Sequence, residues 1–201
     1  MSEAASTGAA AGADGRLRCP WAIGAAELLP YHDEEWGQPV RDDRQLFEKL
    51  SLEAFQSGLS WLTILRKREN FRAAFAGFDP AAVAKFGDDD VQRLLADAGI
   101  VRNRAKINAA IANARAALEL KDGLSDLFWS HADAAAGPAP ETLADVPAQT
   151  PVSKQLAKEL RAAGFVFTGP VTVYASMQAC GLVNDHLAAC FARGIGIDSN
   201  Q

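Results

Sequence analysis

The chain has 201 residues and a mass of 21.4 kDa, which is enough for one large domain or for two small lobes that share a core. Hydrophobic residues make up 49% of the sequence and charged residues 22%, so the chain as a whole has the composition of a globular protein and is neither a disordered chain nor a fibre. The formal net charge of -5 argues against a protein that coats nucleic acid indiscriminately.

The N-terminal part of the chain predicts a tail followed by helices. Residues 1–17 are rich in Ala, Gly and Ser and are expected to form a disordered tail, since they lack the basic start and the apolar centre of a signal peptide. Residues 43–55 place apolar side chains at helical spacing, and a second apolar stretch begins at Leu59. The pattern predicts two helices, or one helix with a functional break at Gly58.

The middle of the chain carries further helix signals. Asp79-Pro80 combines a cap with a proline at the first helical position, and Asp88 to Asp90 mark another helix start. From Ile107 to Leu118, apolar residues recur at intervals of three and four, which predicts a long amphipathic helix.

The C-terminal part predicts a loop and two more helices. Residues 131–151 hold four of the nine prolines and are expected to form a surface loop, after which Ser153 opens a helix. The uncharged run from Gly164 to Asn184 contains glycine, proline and polar residues, so we expect a buried helix there and no membrane span. Residues 194–201 are expected to fray. With almost no strand signal, the sequence predicts an all-α fold.

Two cysteines and two histidines form a candidate metal site. His186 and Cys190 are four residues apart, so a helix would project them from one face, and Cys19 and His32 supply a second pair. Four such ligands would close the coordination of a structural Zn²⁺ ion, which disfavours a zinc hydrolase. The alternative is a surface histidine and buried thiols. Three cysteines, an odd number, suit a reducing compartment.

A basic turn follows the helix that is predicted to start at Asp88 to Asp90. Residues 66–115 hold ten of the 20 basic residues and six of the 25 acids, a net charge of +4, whereas the rest of the chain is at -9. The helix is expected to end near Ala98, with Gly99 in a left-handed turn before the next helix starts. Free N–H groups at that start would bind phosphate, assisted by three cations: Arg102, Arg104 and Lys106. An ordinary helical corner with a solvated basic face is the alternative.

Aromatic residues surround one carboxylate in the third candidate site. Three of the four tryptophans, Trp21, Trp36 and Trp61, fall in the same region as Tyr31 and Glu53. Aromatic faces stack on planar bases and stabilise cations, and a carboxylate among them needs a donor, a cation or water. The alternative is a tryptophan core beside an exposed glutamate.

Four sequence blocks carry a family resemblance. They are Tyr31 to Gly37, Gln56 to Trp61, Lys67 to Phe71 and Met177 to His186. The chain resembles DNA-3-methyladenine glycosylase I from about Arg18 to Cys190. The resemblance implies an all-α helix-hairpin-helix glycosylase with a structural zinc clasp that joins the two chain ends.

The resemblance also implies a role for each candidate residue. One zinc ion would be held by Cys19, His32, His186 and Cys190. Glu53 and Tyr31 would hydrogen-bond the damaged base and form the catalytic pair. Trp21, Trp61 and Trp36 would complete the base pocket. Leu59 beside Gly58 would fill the opened duplex, while Gly99, Arg102, Arg104 and Lys106 would bind the DNA backbone.

The implied organisation has two lobes. Residues 18–65 and 150–193 would form the zinc-clasped lobe, and residues 66–149 the helix-hairpin-helix lobe. We expect a cytoplasmic monomer that acts on double-stranded DNA containing alkylated purines.

The N-glycosidic bond of a flipped, cationic 3-methyladenine is already weak, so the protein needs to stabilise the transition state only a little. The stretch from Val101 to Leu118 has no acid, and no lysine has a Schiff-base context, so we expect base excision without strand cleavage. A non-catalytic helix-hairpin-helix DNA-binding module is the alternative.

Overall fold

The computed structural model describes residues 8–194, and within that range the protein is helical apart from one short strand pair. The ten α-helices are α1 (Leu28–Glu34), α2 (Asp43–Gln56), α3 (Trp61–Ala74), α4 (Pro80–Val83), α5 (Asp88–Ala96), α6 (Arg104–Glu119), α7 (Gly123–Trp129), α8 (Ala132–Ala135), α9 (Pro151–Ala162) and α10 (Pro170–Ala179). Short 3-10 helices cover Pro20–Gly24, Ala76–Phe78, Leu143–Asp145 and Phe191–Gly194. The all-α prediction is confirmed for these residues.

The N-terminal segment differs from the expected tail. Strands β1 (Ala10–Ala11) and β2 (Leu17–Arg18) pair in antiparallel fashion, with Ala10 opposite Arg18. The physical reason is Arg18, whose side chain is 2% exposed and must therefore be paired. It bonds Asp14 within the hairpin and Asp33 on α1. Residues 1–7 and 195–201, which include most of the expected frayed end, lie outside the described residues.

Helix boundaries follow the capping signals closely. Asp42 caps the start of α2 and Ser60 caps the start of α3. The helical structure is therefore interrupted between α2 and α3, where Gly58 has a φ of +80°. The two-helix alternative is therefore correct. The helix expected to open at Ser153 begins earlier, because Thr150 is its cap and Pro151 its first residue.

Helix α2 lies at the centre of the core and packs against α3, α6, α7 and α10. Five phenylalanines from α2, α3 and the following turn contact one another and are fully buried: Phe47, Phe55, Phe71, Phe75 and Phe78. One continuous apolar cluster includes residues of both expected lobes. The last turns of α2 carry Glu53 out of this core, so the position of that carboxylate is fixed by the best-packed element.

The apolar run between Gly164 and Asn184 contains α10, whose Val173 and Met177 are fully buried in the core. The buried-helix prediction is confirmed. Between residues 8 and 194, none of the helices has the length and apolar character that crossing a bilayer requires.

Candidate functional site

The four predicted metal ligands meet in the folded chain. The ligand atoms of Cys19, His32, His186 and Cys190 all lie within 4.8 Å of one another, and all four residues are buried. His32 Nε2 lies 3.2 Å from His186 Nδ1 and 3.4 Å from Cys190 Sγ. The Cys19 Sγ to His186 Nδ1 distance is 3.9 Å. The cluster joins α1 near one chain end to the segment after α10 near the other.

These separations fit a tetrahedral ion. Bond lengths of about 2.3 Å to sulfur and about 2.0 Å to nitrogen give ligand separations of about 3.3 to 3.8 Å around a tetrahedron. The remaining ring nitrogens have partners that fix which nitrogen faces the centre. His32 Nδ1 lies 2.8 Å from Asp33 Oδ1, and His186 Nε2 lies 3.0 Å from the Trp36 carbonyl oxygen. Such outer bonds orient histidine ligands in metal sites, so the cluster has the donor set and the support for a bound metal.

Sequence reasoning missed the residues that support this cluster. The guanidinium of Arg18 donates to Asp33, which in turn accepts from His32 Nδ1. Asp14 bonds the other side of Arg18 at 2.6 Å. The chain of contacts ties the N-terminal hairpin to a ligand. A lone arginine just before Cys19 was the available signal, but its burial could not be read from spacing.

The aromatic cluster lines a cavity of about 470 Å³. Trp21, Tyr31, Trp36, Glu53 and Trp61 all contribute to its wall. The ring centroids of Tyr31 and Trp61 are 5.1 Å apart, as are those of Trp21 and Trp36, which meet edge to face. The five residues predicted to form a base pocket thus line one cavity, and the alternative of an exposed glutamate beside a tryptophan core does not apply.

Glu53 is the least compensated charge in this wall. Glu53 is 6% exposed, and its carboxylate has no hydrogen-bond partner among the described residues. Burial raises the pKa of Glu53 to about 8, against the opposing positive charge of Lys49. Lys49 itself bonds Glu35, 3.1 Å away. The carboxylate is therefore available for a cation or donor that enters the cavity.

Two aromatic donors share the cavity. Burial, and then the negative charge of Glu53, raise the pKa of Tyr31 well above its ordinary value, so its hydroxyl stays protonated. The buried Nε1–H of Trp61 has no acceptor among residues 8–194. An unpaired buried donor is unfavourable, which makes both groups suited to a polar ligand.

Nine of the residues that line the cavity were not foreseen as site residues: Leu28, Gln56, Ser60, Leu62, Leu143, Val146, Ala175, Gln178 and Asp185. Asp185 Oδ2 accepts from Tyr174 Oη at 2.6 Å and from Gln178 Nε2 at 2.8 Å. Gln178 and Asp185 fall in the sequence block that ends at His186. That block was interpreted through its metal ligand, so a place in the cavity was not predicted for them.

The turn between α5 and α6 corrects the expectation for Gly99. Its φ is not in the left-handed region. Gly99 is needed for space instead, because a Cβ there would lie 2.9 Å from Asp97 Oδ1 and 3.1 Å from Asn70 Cβ. Its N–H is also not free, since it donates to Asp97 Oδ1 at 2.7 Å. From α3, Lys67 Nζ donates to the Ala98 carbonyl at 2.9 Å.

The start of α6 does leave donors available. Asn103 caps the helix by accepting from the Lys106 N–H. The N–H groups of Arg104 and Ala105 have no acceptor among the described residues. Arg102 and Arg104 are exposed, and no ion pair within residues 8–194 engages them. The anion-binding features of this turn are thus two arginines and two N–H groups.

Lys106 is the second correction. Its side chain is 8% exposed, and its Nζ donates to the carbonyls of Phe55 and Ser57 at 2.9 and 2.6 Å. Both carbonyls belong to the end of α2, where orphan acceptors need partners. Lys106 therefore holds the loop that presents Gly58 and the 43%-exposed Leu59, and it does not face a phosphate.

Comparisons with known proteins agree with this geometry. The family model described as methyladenine glycosylase matches residues 21–193. DNA-3-methyladenine glycosylase 1 of Escherichia coli (strain K12) is 46% identical over 177 residues, which cover 86% of this chain and 95% of the relative.

Solved structures match as well. A crystal structure of 3-methyladenine DNA glycosylase I superposes with a TM-score of 0.83 at 47% identity, covering 87% of this chain and 98% of the other. A variant of 3-methyladenine DNA glycosylase I in complex with 3-methyladenine gives a TM-score of 0.83 at 34% identity, with 88% and 97% of the chains covered.

Replacing Lys106 with methionine tests its structural role. Two carbonyls at the end of α2 would lose their donor, so we expect Lys106→Met to lower the free energy of unfolding by about 1–3 kcal/mol. Lys121→Met, at an exposed position, is the control and should change it by less than about 0.5 kcal/mol. Urea denaturation measures both. Equal stability of the two variants would show that the Lys106 bonds contribute nothing.

Proposed function

The chain belongs to the methyladenine glycosylase family, and we propose on that premise that it removes 3-methyladenine from DNA by hydrolysing the N-glycosidic bond. The product is an abasic site in an uncut strand. It is a DNA repair enzyme, and its substrate is a damaged base that must leave the base stack to reach the cavity.

The observation that carries this proposal is the unpartnered carboxylate of Glu53 in an aromatic cavity. An adenine methylated at N3 within DNA is cationic, and it is planar. Its charge would pair with Glu53, while its faces would lie against aromatic rings that attract cations. A normal, neutral adenine offers no such compensation. Recognition thus follows from the charge that defines the damage.

The other residues divide the recognition among them. Trp61 and Trp21 border the base, and Tyr31 donates to it beside Glu53. Trp36 contacts the Trp21 ring edge to face and so fixes that wall. Because the cationic base is already an activated leaving group, exclusion of water and a well-placed charge at the base contribute strongly to its excision.

Cleavage of the strand is not part of the proposed reaction. That chemistry needs a lysine amine free to attack the sugar, and none of the described residues that line the cavity is a lysine. The nearby amines are engaged elsewhere, Lys49 with Glu35 and Lys106 with two carbonyls.

DNA binding is assigned to two neighbouring features. The α5–α6 turn acts as a helix-hairpin-helix that grips the backbone through Arg102, Arg104 and the free N–H groups at the start of α6. Leu59, presented beside Gly58, fills the space that the flipped base leaves. Lys106 connects the two features without itself contacting phosphate.

The metal cluster is assigned to one structural zinc ion. Cys19, His32, His186 and Cys190 would hold it, and four protein ligands leave no position for a reacting water molecule. Bound zinc stabilises the fold and supplies no chemistry to the reaction.

The cellular compartment is inferred from the cysteine residues. None of the three cysteines, Cys19, Cys180 and Cys190, forms a disulfide, which suits the reducing cytoplasm. We assign the protein to the cytoplasm as a monomer acting on double-stranded DNA that contains alkylated purines.

Glu53→Gln tests the proposed recognition. The variant keeps the shape and hydrogen-bonding capacity of the side chain but loses its charge, so single-turnover excision of 3-methyladenine should fall by about ten- to a thousandfold. Binding of DNA that carries the cationic base should weaken. Metal content and affinity for undamaged DNA should stay at the parent level. Excision at the parent rate would remove Glu53 from the mechanism.

The pKa of Glu53 predicts a pH dependence. Below about pH 8 the carboxyl group of the free enzyme is protonated and no longer pairs with a cationic base. The value of kcat/KM should therefore fall as pH decreases through this range, since kcat/KM reports the free enzyme. Glu53→Gln should lack that acid limb. The same limb in both proteins would assign it to another group.

Cys190→Ser tests the zinc site. We expect it to lose bound zinc and to melt at a lower temperature, because metal binding contributes directly to folding free energy in such sites. Cys180→Ser is the matched control, since Cys180 is also a buried free thiol but lies outside the cluster. Metal analysis and thermal melting read both out. Full zinc content in Cys190→Ser would contradict its assignment as a ligand.

Arg104→Glu tests the DNA-binding turn. It should weaken binding to all DNA sequences alike and flatten the dependence of affinity on salt, because phosphate contacts release counterions. Lys154→Glu on α9 makes the same change in net charge away from the turn and is the control. Matching salt slopes for the two variants would place the DNA elsewhere.

A further inference from the structure

The cavity wall contains a second carboxylate, Asp185. Among the described residues that line the cavity, Glu53 and Asp185 are the only acids. Asp185 comes from the segment after α10, whereas Glu53 comes from α2. Its Oδ2 accepts two hydrogen bonds, and its Oδ1 has no partner among residues 8–194. One oxygen is thus held in place while the other remains available.

The two carboxylates have opposite surroundings. Glu53 is buried without a donor. Asp185 is held by the hydroxyl of Tyr174, a residue that is 4% exposed, and by the amide of Gln178. Both neighbours act as donors, so Asp185 serves as an acceptor with a fixed orientation. Two carboxylates placed in such different environments are suited to two different tasks.

The proposed reaction has two such tasks, because the positive charge moves. In the bound substrate the charge lies on the methylated base. As the C1′–N9 bond breaks, its electron pair goes to N9, so the base leaves neutral and the charge appears on C1′ and O4′ of the sugar. Glu53 stabilises the positive charge while it is still on the base. A group that favours the charge at its final place accelerates the step, because that interaction exists only in the transition state.

We propose that Asp185 is the catalytic carboxylate that stabilises the oxocarbenium-like sugar. This inference rests on the proposed glycosylase function. Water then adds to C1′ and releases one proton to solvent, which completes the abasic site. Of the two acids that line the cavity, Glu53 serves the cationic base in the proposed recognition, which leaves Asp185, on the segment after α10, for the sugar.

Replacing Asp185 with asparagine provides the test. Single-turnover excision of 3-methyladenine by Asp185→Asn should fall by about a hundred- to a thousandfold, with binding of free 3-methyladenine unchanged. Glu53→Gln should instead weaken binding of DNA that carries the cationic base. Unchanged excision by Asp185→Asn, or parallel losses of base binding and excision, would overturn the inference. Failure of the parent protein to excise the base would instead refute the proposed function.

A charged sugar analogue separates catalysis from structure. DNA with a cationic pyrrolidine in place of one deoxyribose, and DNA with a neutral tetrahydrofuran there, differ mainly in charge at the sugar. The parent should prefer the pyrrolidine DNA, and Asp185→Asn should lose at least about tenfold of that preference. Glu53→Gln should lose less. An equal preference in Asp185→Asn and the parent would contradict a charge interaction with the sugar.

The neighbouring metal cluster requires a control, because Asp185 precedes His186. Metal content and melting temperature of Asp185→Asn should equal those of the parent. If that variant does not fold, Tyr174→Phe with Gln178→Leu keeps the charge but frees the carboxylate from both donors. Excision should then fall while binding of free base persists. Parent-like excision in the double variant would refute a role for the oriented carboxylate.

Discussion

A buried carboxylate that has no hydrogen-bond donor within residues 8–194 is the constraint on which the rest of the cavity depends. Glu53 can occupy that position only because α2 is packed on several sides and its ends are fixed, by Asp42 at the start and by Lys106 at the finish. Burial raises the pKa from 4.5 to about 8, so ionisation works against folding. The free energy of unfolding is highest below the pKa that Glu53 has in the unfolded chain. It decreases as pH rises from 4.5 to about 8, by an amount on the order of a few kcal/mol.

The metal cluster and the cavity are parts of one assembly. On α1, His32 faces the cluster while the adjacent Tyr31 lines the cavity. Trp36 touches both sides, since its ring lies 4.7 Å from that of His186 and 5.1 Å from that of Trp21. Its carbonyl oxygen also faces His186 Nε2. Order in the cluster therefore orders the aromatic wall.

The sequence predicted most of the helices and the metal cluster because their signals are local or chemically distinctive. Caps and proline positions define α3 and α4, and cysteine with histidine in pairs has few other uses. The failures concern burial. Lys106 looked like one more cation on a basic helix, but its long side chain reaches carbonyls 49 and 51 residues away in sequence. The expected tail, residues 1–17, likewise includes Asp14, which pairs with the buried Arg18. Gly99 is needed because α3 approaches it closely, and spacing along one helix pair does not report such an approach.

The two bonds of Lys106 have a mechanical consequence. They join the first turn of α6 to the loop that presents Leu59, so in the proposed binding mode the phosphate grip and the wedge move as one rigid body. A rigid body cannot adapt to each duplex that it meets, and the DNA must deform instead. Deforming a well-stacked duplex costs more than deforming one that is already weakened. In this binding mode, a rigid protein binds more readily where the duplex is locally easy to deform. Its movement along the genome therefore slows at such places.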